Sequence, residues 1–421
     1  MSKLIVQKYG GTSVGTVDKI KQVAQRVAKT AKEGNKVVVV LSAMSGETNK
    51  LVGYYEEVSG NKCSREYDVV VSVGEQVTIG LLAAALNELG LPAKSFLGHQ
   101  AVIVTDSAYG RARIKDIKSG NMMKALNDGM VVVVAGFQGV TIDPETGENS
   151  ITTLGRGGSD TTAVALAAAL EADACEINTD VEGVFTTDPR ICSDARKLKK
   201  ISYDEMLEMA SLGAKVLQTR SVEFSKKYDI PLIVRSSFAE GEAGEGTLVC
   251  KEDKDMEEVA VSGVTYNKDE AKISVVRIPD KPGVAAKLFK PLTEAGINVD
   301  MIVQNISHDG HTDLTFTVTQ GDFERAFDIV KKTGTEIEAH DVIGNKDIAK
   351  ISIVGAGMRS HAGVASKMFD TLSEAGINMQ MISTSEIKIS TVVDSDSMEK
   401  AVKVLHDAFC LESSEIVEEK L

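Results

Sequence analysis

The residues best suited to chemistry lie in Thr152-Thr-Leu-Gly-Arg-Gly-Gly-Ser-Asp-Thr-Thr-Ala163. Gly155, Gly157 and Gly158 let backbone amides approach a ligand where a Cβ would obstruct it. Ser159 and Asp160 are helix-capping types, and the Ala-rich run Val164 to Leu170 behind them favours a helix. A glycine loop that ends at a helix N-terminus attracts anions, because free amides and the helix dipole both favour negative charge. Arg156 adds a planar fork suited to a carboxylate or a phosphate. The pattern is neither G-x-x-x-x-G-K-[ST] nor G-x-G-x-x-G, so P-loop and dinucleotide readings lack support.

Further groups repeat this theme. Lys8, followed by Tyr9, Gly10 and Gly11, sets a point charge beside open amides, a match for phosphate. Glu75, after Gly74, could receive an ammonium or simply serve the dipole of a helix start. Asp180, Asp188 and Arg190 occupy a loop after a strand, suited to ribose, adenine or diphosphate, and equally to plain solvation. Lys215 stands at a helix start, again compatible with phosphate. His99 is the sole histidine before residue 300 and lies outside every motif, which disfavours a histidine base. Phosphorylating a carboxylate needs no base, since with a pKa near ~4 it is ionised at pH 7. Alignment and charge neutralisation then carry the catalysis.

The elements that must position these groups alternate. Strands are expected at Leu4 to Gln7, Val37 to Leu41, Ala93 to Phe96, Val102 to Thr105, Val131 to Phe137, Ala174 to Asn178 and Pro231 to Val234. Apolar Val17, Ile20, Val23, Ala24, Val27 and Ala31 mark one helix face. Another helix runs from Glu75 to Leu89, and a third from Ala214 to Tyr228. Ser202 and Glu205 form a capping box. Such alternation implies an open, mainly parallel α/β sheet with ligands at the strand C-terminal ends.

With 421 residues, the chain has room for two or three domains. A net charge of −14 argues against nucleic acid as partner. No run of ~18 apolar residues suggests a membrane span. The five cysteines are scattered without C-x-x-C spacing, which fits a reduced cytoplasm better than a disulfide framework or a zinc site. Composition turns Gly- and charge-rich from Glu240 to Asp255, and residues 1–252 are read as one domain. Beyond it, Pro282 to Ile302 matches Ala362 to Ile382 at 13 of 21 positions. This repeat predicts two βαββαβ units, 253–345 and 346–421, that pack side by side within or between chains.

Together these motifs resemble the aspartokinases of the amino acid kinase family. The match rests on Lys8-Tyr-Gly-Gly-Thr-Ser13 (the family often has Phe at Tyr9), Ser72-Val-Gly-Glu75, Gly136-Phe-Gln-Gly139, the loop around Arg156, and Thr179-Asp-Val-Glu-Gly-Val-Phe-Thr-Thr-Asp-Pro-Arg190. The tandem repeat resembles the paired ACT domains of that family. The resemblance implies transfer of phosphate from ATP, with Mg2+, to L-aspartate, giving 4-phospho-L-aspartate at the entry to lysine, threonine and methionine synthesis. It places Lys8, Arg156 and Asp160 in catalysis. Ser42, Thr48, Glu75, Arg156, Gly157, Gly158 and Ser159 face aspartate. Lys8, Tyr9, Gly10, Gly11, Thr179, Asp180, Phe185, Asp188, Arg190 and Lys215 face the nucleotide; no metal ligand is assigned.

For regulation, the turn Asp280-Lys-Pro-Gly283-Val-Ala285 offers amides for an effector carboxylate and an acid for its ammonium. Gln304 and Asn305 finish such a pocket, and Asn298 and Asn378 sit at matched strand starts. Lysine, threonine or both are the expected effectors. The assembly implied is a homo-oligomer through the ACT-like units, or an α2β2 form whose β chain starts at Met256. Two rivals are a sister kinase for another carboxylate, such as glutamate, and an amino-acid sensor with an inactive kinase half. The paired ACT-like units oppose the first, and the intact set Lys8, Glu75, Arg156 and Asp160 opposes the second.

Overall fold

The computed structural model describes residues 2–211, 216–253, 256, 259–305 and 310–413. They fall into two compact units. The first comprises the described residues of Met1–Val184, Lys197–Ala210 and Lys215–Asp253. The second takes those of Phe185–Arg196, Ser211–Ala214 and Lys254–Leu421. Set beside the expected boundary near residue 252, the main body of the first unit ends at Asp253, and residues 185–196 leave it and join the second.

The first unit is built on twelve strands: β1 (Leu4–Tyr9), β2 (Lys36–Leu41), β3 (Ala93–Phe96), β4 (Ile103–Thr105), β5 (Ile114–Ile117), β6 (Val131–Ala135), β7 (Gln138–Ile142), β8 (Asn149–Thr153), β9 (Ala174–Thr179), β10 (Lys200–Ser202), β11 (Leu232–Ser236) and β12 (Thr247–Cys250). Eight form a sheet in the order β10-β12-β11-β9-β1-β2-β6-β3, parallel except where β11 meets β12. Strands β2 and β6 are runs of valine buried on both faces, as a sheet covered by helices requires. Val37, Val39, Leu41, Val131 and Val133 join Val23, Val27, Ile79 and Leu82 of helices Val17–Lys32 and Val73–Glu88 in one core. Val38, Val40, Val132 and Val134 point the other way and are equally buried. Helix Gly158–Ala169 packs against β1, β2 and β9.

Several local expectations shift. The strand expected from Val102 begins at Ile103, because Val102 takes a left-handed φ of 53°. The third helix covers Thr219–Tyr228; its expected start at Ala214 lies outside the described residues. A small second sheet, β5-β4-β7-β8, was not foreseen. It turns Gln138 and Gly139 into strand residues and carries the chain through Thr153 into the glycine loop. The helical stretch Arg65–Glu88 is long and apolar enough to cross a membrane, yet half of its apolar 18-residue window is buried in the unit. Its apolarity is that of a core helix, with Ile79, Leu82 and Leu86 against the sheet.

The second unit contains two four-stranded antiparallel sheets. β14 (Ala271–Pro279), β15 (Ile302–Gln304), β16 (His311–Val318) and β17 (Asp341–Asn345), with helices Val284–Glu294 and Phe323–Glu336, make a complete βαββαβ motif in the sheet order β15-β16-β14-β17. The second motif, β18 (Ile348–Val354), β19 (Met381–Thr384) and β20 (Lys388–Asp394) with helices Val364–Glu374 and Met398–Ala408, has only three strands of its own. Its fourth is β13 (Gly263–Asn267), which pairs with β18. The split at 345/346 is corrected accordingly: residues 263–267 complete the later motif. The repeat is exact enough in its backbone that Gly283 and Gly363 have φ of 92° and 94°, and Gly296 and Gly376 of 71° and 70°.

Candidate active site

Lys8 is the penultimate residue of β1, in register with Val40 of β2 and Ile177 of β9. Ladder hydrogen bonds on both sides therefore fix where its side chain leaves the sheet. Its ammonium meets Asp160 Oδ1 at 2.6 Å, and both side chains are only 11% exposed. Asp160 is the third residue of helix Gly158–Ala169, so the pair joins a strand end to a helix start. The helix cap itself differs from expectation. Gly157 occupies the N-cap position at φ 70° and no side chain caps the helix. Ser159 and Asp160 lie inside the first turn instead, which leaves first-turn amides open for an anion.

Three glycine positions bring the loops together. A Cβ on Gly11 would come within 2.9 Å of Ala43 O, so the loop after β1 lies directly on the loop after β2. Ser45 donates its amide to Gly11 O there, at 3.2 Å. A Cβ on Gly136, after β6, would fall 2.7 Å from the Ser159 Cβ, and the Gly136 amide donates to Leu41 O at 2.9 Å. At Gly157 a Cβ would lie 2.0 Å from the Gln218 Cγ. Backbone from β1, β2, β6 and the helix start thus converges at one end of the parallel sheet, as expected of an open α/β fold. Gly10 belongs to the same turn and donates to Asn178 O at 3.3 Å. Tyr9 beside it is fully buried, its hydroxyl donating to Gln7 Oε1, and serves the core rather than a solvent-facing pocket.

Glu75 sits in the first turn of helix Val73–Glu88, 3% exposed. Its Oε1 accepts the Ala43 amide at 3.1 Å, while Oε2 is buried without a partner among the described residues. Burial pushes the carboxyl up to about 7, against the smaller opposing effect of the Ala43 amide. A buried acid with one free oxygen suits a ligand's ammonium. Ser42 follows β2, donating its amide to Tyr9 O at 3.2 Å and accepting the Thr78 hydroxyl on its carbonyl at 2.9 Å. Thr48 lies half-buried in helix Glu47–Val58. Arg156 is exposed between Gly155 and Gly157, both at positive φ, and no ion pair engages its guanidinium among the described residues.

The residues expected on the nucleotide side divide. Thr179 ends β9, its hydroxyl donating to Asp180 Oδ1 at 3.1 Å and its carbonyl accepting the Ser237 amide at 2.8 Å. Phe185, Asp188 and Arg190 belong to the second unit. There Asp188 accepts from the Arg190 guanidinium at 2.7 Å and from the Tyr266 hydroxyl at 2.9 Å. Arg190 holds its carboxyl down to about 2. Lys215 lies outside the described residues. The effector candidates Asp280, Gly283, Ala285, Asn298, Gln304, Asn305 and Asn378 are all exposed. Asp280 directs its amide to Gly310 O, and Asn305 its amide to Asp313 O.

Two supporting residues escaped the sequence reading. Asp68, fully buried, accepts the Gly110 amide at 2.9 Å and the Thr153 amide and hydroxyl at 2.8 and 2.6 Å, anchoring the strand that leads into Gly155. Gln138 accepts the Gly98 amide and donates to Ser72 O, tying β7 to the start of the Glu75 helix. Gln138 stood inside a noted motif, but nothing in the spacing of Asp68 distinguished it from a solvated helix acid.

Comparison with known proteins gives this geometry a context. The sequence matches the model of the amino acid kinase family over residues 3–236 and that of the ACT domain over residues 273–333 and 351–409. It is 56% identical over 412 residues to an aspartokinase of Pseudomonas aeruginosa, covering 97% of this chain and 98% of that one. An aspartokinase of Mycolicibacterium smegmatis is 47% identical, with 97% and 96% covered. The crystal structure of E. coli aspartokinase III in complex with aspartate and ADP superposes with a TM-score of 0.78 at 26% identity, covering 96% of this chain and 99% of that one. The same enzyme with lysine and aspartate gives 0.75 at 27%, covering 97% and 100%. On the joint evidence of a strand-end lysine paired to a helix-start acid, a buried glutamate and a relation that spans nearly the whole length, the chain belongs to the amino acid kinase family, as an aspartokinase with paired C-terminal ACT domains.

Proposed function

We propose that the chain transfers the γ-phosphoryl group of ATP to the side-chain carboxylate of L-aspartate, forming 4-phospho-L-aspartate and ADP. The observation that carries this reading is the Lys8–Asp160 pair, held where β1 ends against the uncapped start of helix Gly158–Ala169. A carboxylate oxygen of aspartate attacks the γ-phosphorus, and the bridging oxygen leaves with ADP. No proton moves, so the transfer requires no base. Lys8 neutralises charge that develops on the transferring group, and Asp160 keeps its ammonium in place. The amides of Ser159 and Gly11 face the phosphoryl group, while those of Gly10 and Gly158 hold the loops through Asn178 O and Gly155 O. Glu75 takes the α-ammonium of aspartate on its free oxygen. Arg156 takes the α-carboxylate with its fork, and Ser42 and Thr48 line the same side.

Thr179 and Asp180 stand at the nucleotide end, with Tyr9 supporting the turn from behind. Phe185, Asp188 and Arg190 remain nucleotide contacts by the family resemblance, with Asp188 also bound by Arg190 and Tyr266. Magnesium supplies charge neutralisation to the phosphates when bound. Asp160, the carboxylate at the helix start, is committed to Lys8, which suits a metal delivered on the nucleotide better than one held by the protein alone.

The reaction opens lysine, threonine and methionine synthesis, and the ACT units receive lysine, threonine or both at the turn Asp280–Ala285 and at Asn298, Gln304, Asn305 and Asn378. The lysine complex of the E. coli enzyme supports an amino-acid effector. Exposed Ile302, Ile343 and Ile382 on sheet strands of the second unit support association through these motifs, as a homo-oligomer or as an α2β2 form with a β chain from Met256. The test is trapping of the acyl phosphate with hydroxylamine over a panel of carboxylic amino acids. Hydroxamate formed with aspartate and not with glutamate is expected, and ATP hydrolysis without hydroxamate refutes the assignment.

A further inference from the structure

The second unit holds a cluster that neither the kinase chemistry nor effector binding uses. Ligand atoms of Cys192, His406 and Asp407 lie within 4.8 Å of one another. Cys192 and His406 are 5% and 0% exposed, and Asp407 is open to solvent. Helix Met398–Ala408 carries the last two, while Cys192 comes from the segment 185–196 that leaves the first unit. The ring of His406 is oriented by one bond, Nε2 to the Thr186 hydroxyl at 2.9 Å. Its Nδ1 is buried and has no hydrogen-bond partner among the described residues. A buried ring nitrogen left bare in such a cluster is costly unless something binds it. Around the ring, Asp194, Asp407 and Glu412 contribute negative charge against the single cation Arg196.

The geometry points to a transition-metal site formed by Cys192 Sγ, His406 Nδ1 and the Asp407 carboxylate, taking Zn2+ or a similar ion with water in the fourth position. Thiolate and imidazole select such an ion over magnesium or calcium. Bonds of about 2.0–2.3 Å around a tetrahedral ion require the three ligand atoms to close by roughly an ångström, within reach of side-chain rotation at the exposed Asp407. Binding deprotonates Cys192. The hydrogen bond from Nε2–H to the Thr186 hydroxyl oxygen acts as the outer contact that fixes the ring. The bound ion cross-links segment 185–196 to the final helix of the second motif, adding to the Thr186–His406 bond a link that depends on metal supply.

The experiment uses the full chain, stripped with a chelator and titrated with Co2+ in the presence of excess Mg2+. Saturable binding of one Co2+ with a thiolate charge-transfer band is expected, displaced by Zn2+ and accompanied by a rise in melting temperature. Cys192→Ser should abolish the band. Asp407→Asn, whose side chain is exposed and whose fold is therefore safe, should weaken Co2+ binding by at least about tenfold, the lower end of what loss of even an outer partner costs. Cys63→Ser, an exposed thiol elsewhere, should change nothing. A band that survives Cys192→Ser, unaltered affinity in Asp407→Asn, or no saturable binding would each overturn the site. If Cys192→Ser does not fold, the Asp407→Asn titration decides by itself.

Discussion

Glu75 is the residue at which stability and substrate binding pull in opposite directions. Its carboxyl is raised from 4.5 to about 7 by burial. A group raised in the folded state contributes stability that is present in full below its unfolded value and is lost as pH rises through the folded one. Here the loss runs between 4.5 and about 7. At about 1.4 kcal/mol per pH unit, ionised Glu75 costs the free protein about 3 kcal/mol above that window. Glu75→Gln keeps the acceptor for the Ala43 amide and removes the charge. It should therefore raise the stability of the first unit by up to about 3 kcal/mol at pH 8.5, with most of the gain gone at pH 4.5. The same change should raise the KM for aspartate, because an amide cannot neutralise the α-ammonium. Denaturant unfolding of both proteins at the two pH values, with aspartate kinetics at pH 8.5, measures both arms. A variant less stable than the parent at pH 8.5, or one whose KM for aspartate is unchanged, would refute the argument.

Lys8→Ala should lower kcat by about 10²–10³, the range for loss of one preorganised stabiliser of transition-state charge; a fall of less than tenfold in steady-state assays would remove Lys8 from that role. Arg156→Lys should raise the requirement for aspartate more than that for ATP, since an ammonium cannot copy a bidentate fork, and equal changes in the two KM values would move Arg156 to the nucleotide side. Gly157→Ala must hold a side chain at φ 70° with its Cβ 2.0 Å from the Gln218 Cγ. Strain of at least about 1–2 kcal/mol and a displaced helix start should appear together as a lower melting temperature and a loss of kcat. Retention of both would show that the loop adapts. Asp280→Ala should relieve feedback inhibition worth about 1–3 kcal/mol of coupling and leave uninhibited kcat unchanged; inhibition curves identical to those of the parent would exclude this turn as the effector site.

Much of the machinery was legible because its chemistry is local. Three glycines around one arginine, a lysine closing a strand and a glutamate opening a helix each declare themselves within a few residues. The valine runs of β2 and β6 are long enough to announce a sheet buried on both faces, and 13 identities in 21 positions announce the repeat. Glycine conformation follows the same rule, so Gly283 and Gly363 adopt matching angles from matching surroundings.

What sequence could not supply was any relation between distant segments. The Lys8–Asp160 pair depends on the parallel register of β1 and β9 and on how helix Gly158–Ala169 lies against them. The raised carboxyl of Glu75 depends on burial beneath the loop after β2, which no helix-start pattern reveals. Strand β13 was assigned to the nearer motif because adjacency in the chain suggests adjacency in space, yet the later sheet had the open edge for it. Tyr266, remote in sequence, shares the Asp188 carboxylate with Arg190, a contact that no spacing announces. Cys192 and His406, without a spacing motif, gave no hint of meeting. Residue types and their local periods are written in one dimension, whereas charge neutralisation, desolvation and ligand sets arise from three-dimensional neighbours, and those the tertiary structure alone decides.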